Sequence, residues 1–317
     1  MSDELNDILE QLVAELGPLS GEVRELDGGI TNRNFRVTLG EHEYVVRRPG
    51  KDTELLGIDR SAELLANETA AALGIAPAVA GVVDGCLVTS FVTCHALTRE
   101  ELLGAIEEIA QALRAFHDSS TELPTRFWVP QLLDDYAQIV QARGARLPQE
   151  YEAARAAAAQ IAAALPADRL RPCHNDLLAG NLIASERDDH TLLVDWEYAG
   201  MGDARFDLGN LSVNNDFDEQ ADERLLTAYD GEHPSDRRRA ALKLMRVLSD
   251  AREAAWGVVQ GTVSELEFDF DGYAGEHFER LQTTVDREDF ADWLATAAAT
   301  ARTRDDDEER GTDGQAA

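Results

Sequence analysis

Lysine is almost missing from this chain. Among 317 residues it occurs only as Lys51 and Lys243, so nearly all of the 29 cationic side chains are arginine. Cysteine is also scarce: Cys86, Cys94 and Cys173 are too few and too widely spaced for a disulfide framework or a metal-ligand set, which fits a reducing compartment. No run of about eighteen apolar residues is available to span a bilayer. The opening Met1-Ser2-Asp3-Glu4 has no basic, then apolar, leader pattern. These absences lead to the expectation of a cytoplasmic protein. Positive charge is in short supply overall, with 29 bases against 61 acids and a net charge of −32. The acids run the whole length of the chain. A nucleic-acid partner or an anionic membrane surface would need a basic face, so both are excluded as expected partners. An excess of this size resembles proteins that work in high internal salt, where screening suppresses self-repulsion.

The most informative stretch is Cys173-His174-Asn175-Asp176-Leu177-Leu178-Ala179-Gly180-Asn181-Leu182-Ile183, followed by the apolar run that ends in Asp195-Trp196-Glu197. Asp176 and Asn181 are five apart, and Asp195 follows fourteen later. That order (loop, strand, turn, strand, acid) suits phosphoryl transfer. One Asp takes the acceptor's proton, an Asn holds magnesium, and a second Asp holds the metal between phosphates. The transferred group carries spread negative charge, so the protein must supply positioning and hard oxygen ligands. Cys173, beside this loop, is expected to fill apolar space.

His174-Asn175-Asp176 through Asn181, with Val194-Asp195-Trp196-Glu197-Tyr198-Ala199-Gly200, resembles the choline/ethanolamine kinase family. That family belongs to the protein-kinase-like small-molecule kinases, together with the aminoglycoside phosphotransferases. The likeness runs from about Gly28 to Phe278. It implies an α+β, two-lobe protein-kinase-like fold, with a small N-lobe of antiparallel sheet plus helix and a larger, mainly helical C-lobe. It also implies ATP and Mg²⁺ as cofactors, a small-molecule alcohol as partner, and Glu197 as a further metal ligand beside Asn181 and Asp195. Expected boundaries are residues 1–92 for the nucleotide lobe, 93–303 for the catalytic and acceptor lobe, and 304–317 for an acidic, disordered tail.

Along the chain, Leu5, Ile8, Leu9, Leu12, Val13 and Leu16 recur at helical spacing before Gly17-Pro18. Then Asp27-Gly28-Gly29-Ile30-Thr31-Asn32-Arg33-Asn34 heads a hairpin, Phe35–Leu39 and Glu43–Arg47. Gly28 and Gly29 allow a close backbone approach to phosphate, and Thr31, Asn32 and Asn34 can donate to it. With so few lysines, Arg47 at the end of the second strand is the expected phosphate cation, as the resemblance also implies. Glu63 and Glu68, on the next helix, are the candidates to orient it, and the likeness favours Glu63. Ser90, Phe91 and Val92, at the end of a second hairpin, are expected to offer backbone groups to adenine. His117 and Asp207 read as structural support. Residues 211–230 read as an acceptor-side loop.

Glu253 and Trp256 share one face of a helix over Arg237–Gln260. The segment resembles the family stretch whose aromatics box an ammonium group, a contact worth about 0.5–2 kcal/mol. Tyr198, Glu197 and Asp216 are expected nearby. Val259 stands where eukaryotic choline kinases carry a second Trp, which thins the cage. The expected activity is transfer of the γ-phosphoryl of ATP to a choline- or ethanolamine-type amino alcohol. The alternatives are an aminoglycoside, thiamine or sugar kinase, or a nucleotide-binding regulator without turnover.

The charge excess carries its own test. On dialysis from 1 M to 0.1 M KCl the Debye length grows from about 3 to about 10 Å, and the melting temperature is expected to fall. A melting temperature indifferent to salt would remove the high-salt reading.

Overall fold

The computed structural model describes residues 3–26, 32–50, 53–166, 169–187, 189–264 and 266–299. Gly28, Gly29, Thr31, Lys51 and the tail from 304 lie outside the described residues.

The N-terminal half is an antiparallel sheet with helices against it. Helix α1 (Asp3–Leu16) is followed by β1 (Leu19–Leu26), β2 (Arg33–Leu39), β3 (His42–Arg48), α2 (Arg60–Ala72), β4 (Val79–Val83) and β5 (Cys86–Ser90). The strand order is β1-β2-β3-β5-β4. Strict alternation sends Phe35, Val37 and Leu39 of β2 and Tyr44 and Val46 of β3 to one face, where they bury against Leu5, Ile8, Leu9 and Leu12 of α1. The other face of β3 carries Val45 and Arg47 into the cleft. Gly40 turns the β2–β3 hairpin at φ +61, and a Cβ there would sit 3.0 Å from the Leu16 carbonyl. Asp59 caps α2 by accepting from the amides of Ser61 and Ala62.

The C-terminal half is helical around α9. In chain order it comprises β6 (Cys94–Ala96), α3 (Arg99–Gly104), α4 (Ile106–His117), α5 (Val129–Ala142), α6 (Glu150–Ala164), β7 (Arg171–Cys173), β8 (Leu182–Ser185), β9 (Thr191–Leu193), β10 (Gly200–Gly202), α7 (Ala204–Asn214), α8 (Glu219–Asp230), α9 (Asp236–Val263), α10 (Phe270–Val285) and α11 (Phe290–Ala298). Antiparallel pairing of β8 with both β6 and β9, and of β7 with β10, brings two loops together. Residues 174–181 and 194–199 leave these small sheets side by side and form the floor of the cleft.

Helix α7 packs closely on α9 at Gly209. A Cβ on Gly209 would lie 2.5 Å from the Met245 Cβ and 2.7 Å from its carbonyl carbon. Among the described residues the two halves also share cores. Ala66, Ala70, Ile75 and Ala76 bury with Leu182, Leu193 and Trp196, and the Tyr136 hydroxyl donates to the Leu56 carbonyl at 2.8 Å. Residues on either side of position 92 are therefore packed into common cores.

Two expectations need correction. Residues 211–230 are mostly helix: α7 runs to Asn214, and α8 is capped by Asp218 and closed by Gly231 at φ +78. Leu225, Leu226 and Tyr229 are buried in the same core as α4, a face that the many acids of α8 obscure in the sequence. Helix α10 has no counterpart in the sequence reading. Its apolar spacing is interrupted by Gly272 and Gly275, yet Phe270, Ala274, Phe278 and Leu281 bury against α9.

Candidate active site

Two backbone strains mark the cleft floor. Asn175 has φ +67 and Asp195 φ +68, a left-handed conformation that only Asn, Asp and Gly adopt readily. Their neighbours hold them there. Buried Asp207, on α7, accepts from the amide of Asn175 through Oδ1 and from the amide of His174 through Oδ2, both at 2.7 Å. His117 Nε2 reaches the same Oδ2 at 2.9 Å, and its Nδ1 meets the Tyr229 hydroxyl. Burial alone would raise the Asp207 carboxyl, but the bond from His117 and the surrounding donors hold it below its ordinary value. One turn on, Asn210 accepts from the Leu177 amide at 2.5 Å and donates to Ser249.

His174 is buried and held neutral by that burial. Its Nε2 donates to the Val194 carbonyl at 3.0 Å, and its Nδ1 accepts from the Asp176 amide at 3.2 Å. One imidazole therefore ties the two floor loops together. Asn181 donates Nδ2 to the Asp176 carbonyl at 2.8 Å and to its carboxylate Oδ2 at 3.1 Å. This fixes the amide orientation and leaves the Asn181 Oδ1 as the oxygen available to a cation.

The upper wall centres on Arg47. Its guanidinium pairs with Glu63 at 3.0 Å, with Glu197 at 3.2 Å and, through Nη2, with Asp195. Desolvation opposes its charge, and the three carboxylates more than restore it. Arg60 holds the other Glu63 oxygen at 2.6 Å, and Asn32 donates to Glu197 at 2.9 Å. Burial and Asp195 push Glu197 upward against Arg47. Glu68 is exposed, away from this cluster.

The far wall is α9 with α10. Trp256 donates Nε1 to the Tyr198 hydroxyl at 2.7 Å and meets Tyr273 edge-on at 5.5 Å. Glu253 accepts from the Tyr273 hydroxyl at 2.8 Å. Arg252 donates Nη1 to Asp176 Oδ1 at 3.1 Å and to both Glu253 oxygens at 2.8 Å, with its guanidinium 4.3 Å from the Tyr198 ring centre. Burial pushes the Asp176 carboxyl up, Arg252 draws it back, and Glu253 adds to the rise; the net shift is upward. A raised carboxyl suits a proton acceptor working near neutral pH.

One cleft of about 710 Å³ thus joins Arg47, Asp176, Asn181, Asp195, Glu197, Tyr198, Glu253 and Trp256, and its rim includes Asn34, Ser90, Phe91 and Val92. The structure narrows which rim groups are free. The Ser90 and Phe91 amides already donate to the carbonyls of Ala78 and Glu43, so of their backbone groups only the carbonyl oxygens remain for a base. Asp216 is exposed and faces Arg99 rather than the cleft. Sequence reasoning missed Arg252, Tyr273, His277 and Arg280, all of which line it. Arg252 directly precedes Glu253 and lies four positions before Trp256, but its partner Asp176 is 76 positions away, and no local pattern reports such a contact. The donor set fits a hard divalent ion: Asn181 Oδ1 and the Asp195 carboxylate lie on adjoining loops, and Glu197 stands beside them.

Residues 22–242 match the model of the phosphotransferase enzyme family, and the chain belongs to that family. It is 25% identical over 342 residues to probable choline kinase 3 of Arabidopsis thaliana, covering 88% of this chain and 92% of that protein. Its structure is similar to that of a choline/ethanolamine kinase family protein from Mesorhizobium loti, with TM-score 0.76, 28% identity, and coverage of 92% and 99% of the two chains. Choline kinase LicA from Streptococcus pneumoniae is similar at TM-score 0.73 and 26% identity, covering 89% and 99%; a LicA structure in complex with AMP is also similar. The fold is that of the protein-kinase-like phosphotransferases, and no helix among the described residues is long and apolar enough to cross a membrane.

The Asp207 clamp generates a stability prediction. Asp207→Ala strips the acceptor from two buried amides and His117, and is expected to cost about 3–5 kcal/mol, read by chemical denaturation. Asp207→Asn, which keeps one acceptor oxygen, is expected to lose less. Equal and small losses in both would show that the clamp is not needed.

Proposed function

We propose that this protein transfers the γ-phosphoryl group of ATP to the hydroxyl of a small amino alcohol of the choline or ethanolamine type. The observation that carries the reading is the meeting of Asp176, Asn181, Asp195 and Arg47 in one cleft whose far end is walled by Tyr198, Glu253 and Trp256. The nucleotide half would lie under β3 and β5. There Val45, Leu87 and Ile183 provide apolar contact for a base, and the Arg47 fork, steadied by Glu63, faces the phosphates. Magnesium bound by Asn181 and Asp195, with Glu197 beside it, would offset charge on the phosphates.

The remaining work belongs to side chains of this protein. Asp176 Oδ1 and Oδ2 are oriented by Arg252 and Asn181, so the carboxylate is aimed before the acceptor arrives. It accepts the hydroxyl proton as the oxygen attacks phosphorus in line. The buried floor keeps water from competing with the acceptor. An ammonium at the far end finds the Glu253 carboxylate and the rings of Tyr198, Tyr273 and Trp256.

Two measurements test this. Asp176→Asn is expected to lower kcat by about 10²–10⁴ while ATP affinity is kept, assayed by labelled phosphoryl transfer from ATP to a panel of amino alcohols. Near-normal turnover would remove Asp176 from the chemistry. Trp256→Leu, which keeps apolar volume, is expected to raise KM for the amino alcohol roughly 2- to 30-fold with KM for ATP unchanged. An unchanged acceptor KM would place Trp256 in the core alone.

A further inference from the structure

Arg252 is the least explained residue of the cleft. Its side chain is 2% exposed, and all its hydrogen bonds to carboxylates leave from one nitrogen, Nη1. Nε and Nη2, the two atoms of its other edge, are buried with no hydrogen-bond partner among the described residues. This is the edge that elsewhere in the protein grips a carboxylate side-on. Arg33 holds Glu25 with it at 2.7 and 2.7 Å, Arg224 holds Glu107 at 2.8 and 2.6 Å, and Arg238 holds Asp230 at 2.8 and 3.0 Å. A guanidinium edge is matched to two oxygens of one oxyanion, and two buried donors without an acceptor cost about 1–3 kcal/mol each.

A second group lining the same cleft, at the end of α7, has the same need. Asn214 Nδ2 is buried and has no hydrogen-bond partner among the described residues. Its Oδ1 accepts from Arg280 at 3.4 Å, which fixes the amide with nitrogen as the unfilled end. Arg280 and His277, which also line the cleft, are both held by buried Asp250. The unfilled polar atoms of Arg252 and Asn214 are therefore all donors. A bare amino alcohol brings one hydroxyl, directed at Asp176, and a cation; it supplies no pair of oxygens to fill Arg252 Nε and Nη2 together.

We propose that the acceptor carries an oxyanion in addition to its hydroxyl and ammonium, and that Arg252 binds this group side-on, making the substrate class hydroxy amino acids rather than plain amino alcohols. The inference rests on the kinase reading above and narrows it. Arg252 Nη1 touches Asp176 Oδ1, so a carboxylate on the opposite edge of the same guanidinium lies within a short chain's length of a hydroxyl on Asp176. That spacing suits a hydroxyl one or two carbons from the carbon bearing the carboxylate. Glu253, on the Nη1 side, is left to face the ammonium. A zwitterion then meets opposite charge at each end, whereas choline would leave the Arg252 edge unfilled.

Matched acceptors separate the two substrate classes. Ethanolamine against L-serine, and 3-amino-1-propanol against L-homoserine, differ only by the carboxylate. With labelled ATP, magnesium and about molar KCl, kcat/KM is expected to favour the carboxylate member of at least one pair by roughly 10²-fold or more, as for sites built to bond a missing group. Arg252→Lys keeps the charge but loses the fork, and is expected to raise KM for the carboxylate member at least about tenfold with KM for ATP unchanged. Preference for ethanolamine or choline overturns the inference and leaves the kinase reading standing. A rise in KM for ATP instead assigns the Arg252 edge to the nucleotide and also overturns it. If no acceptor of either kind is phosphorylated by protein that binds ATP, the amino-alcohol reading falls and this inference with it. The wild-type comparison stands even if the variant does not fold.

Discussion

The structure hangs on one guanidinium. Arg47 ends a strand of the upper sheet and meets Glu63 from α2 and Asp195 and Glu197 from a floor loop. Three carboxylates this close would repel one another in a medium of low polarity. A single delocalised cation with a rigid fork holds all three, which an ammonium of one point charge does less well. Because the partners come from both halves of the chain, the same contact sets the height of the cleft and the position of the acids within it. Arg60 and Asn32 then take up remaining oxygens of Glu63 and Glu197. Removing the cation would leave buried charge of one sign, a much larger loss than the pair itself contributes.

How far the sequence foretold this depends on distance along the chain. The spacing of Asp176, Asn181 and Asp195 was legible because one loop-strand-turn-strand unit carries all three. The β2–β3 alternation was legible because period two is a local property. Glu63 and Glu68 were distinguishable only by resemblance, and it is Glu63 that faces Arg47, Glu68 being exposed. Helix α8 was read as a loop because its acids mask a narrow apolar stripe, and α10 was passed over because glycine interrupts its spacing. Asp207 was taken as support for its surroundings, but the sequence could not show that it accepts two amides and a histidine at once. Arg252 was invisible as a site residue because its contact with Asp176 arises only when α9 packs beneath the floor loop.

The scarcity of lysine also has a structural expression. With 61 acids to place, the protein uses arginine as a two-pronged clasp. Arg33 with Glu25, Arg239 with Glu223, and Arg287 with Asp289 are side-on pairs on or near the surface. Such pairs contribute little each, but their geometry is less dependent on side-chain freedom than a lysine contact. They orient acids that would otherwise only repel.

Gly209 sets the spacing beneath the candidate site. It lies between Asp207 and Asn210, the two residues of α7 that hold the floor loop, and it lets α7 rest directly on the backbone of α9. The distance between the loop that carries Asp176 and the wall formed by α9 is thus gauged at a point where α7 contributes no side chain. One added methyl would act as a shim, separating the two reference surfaces while leaving every side chain of the cleft chemically intact. The spacing of the cleft is set at a position outside its lining, and side chains along α9 and α10 can vary without disturbing that gauge.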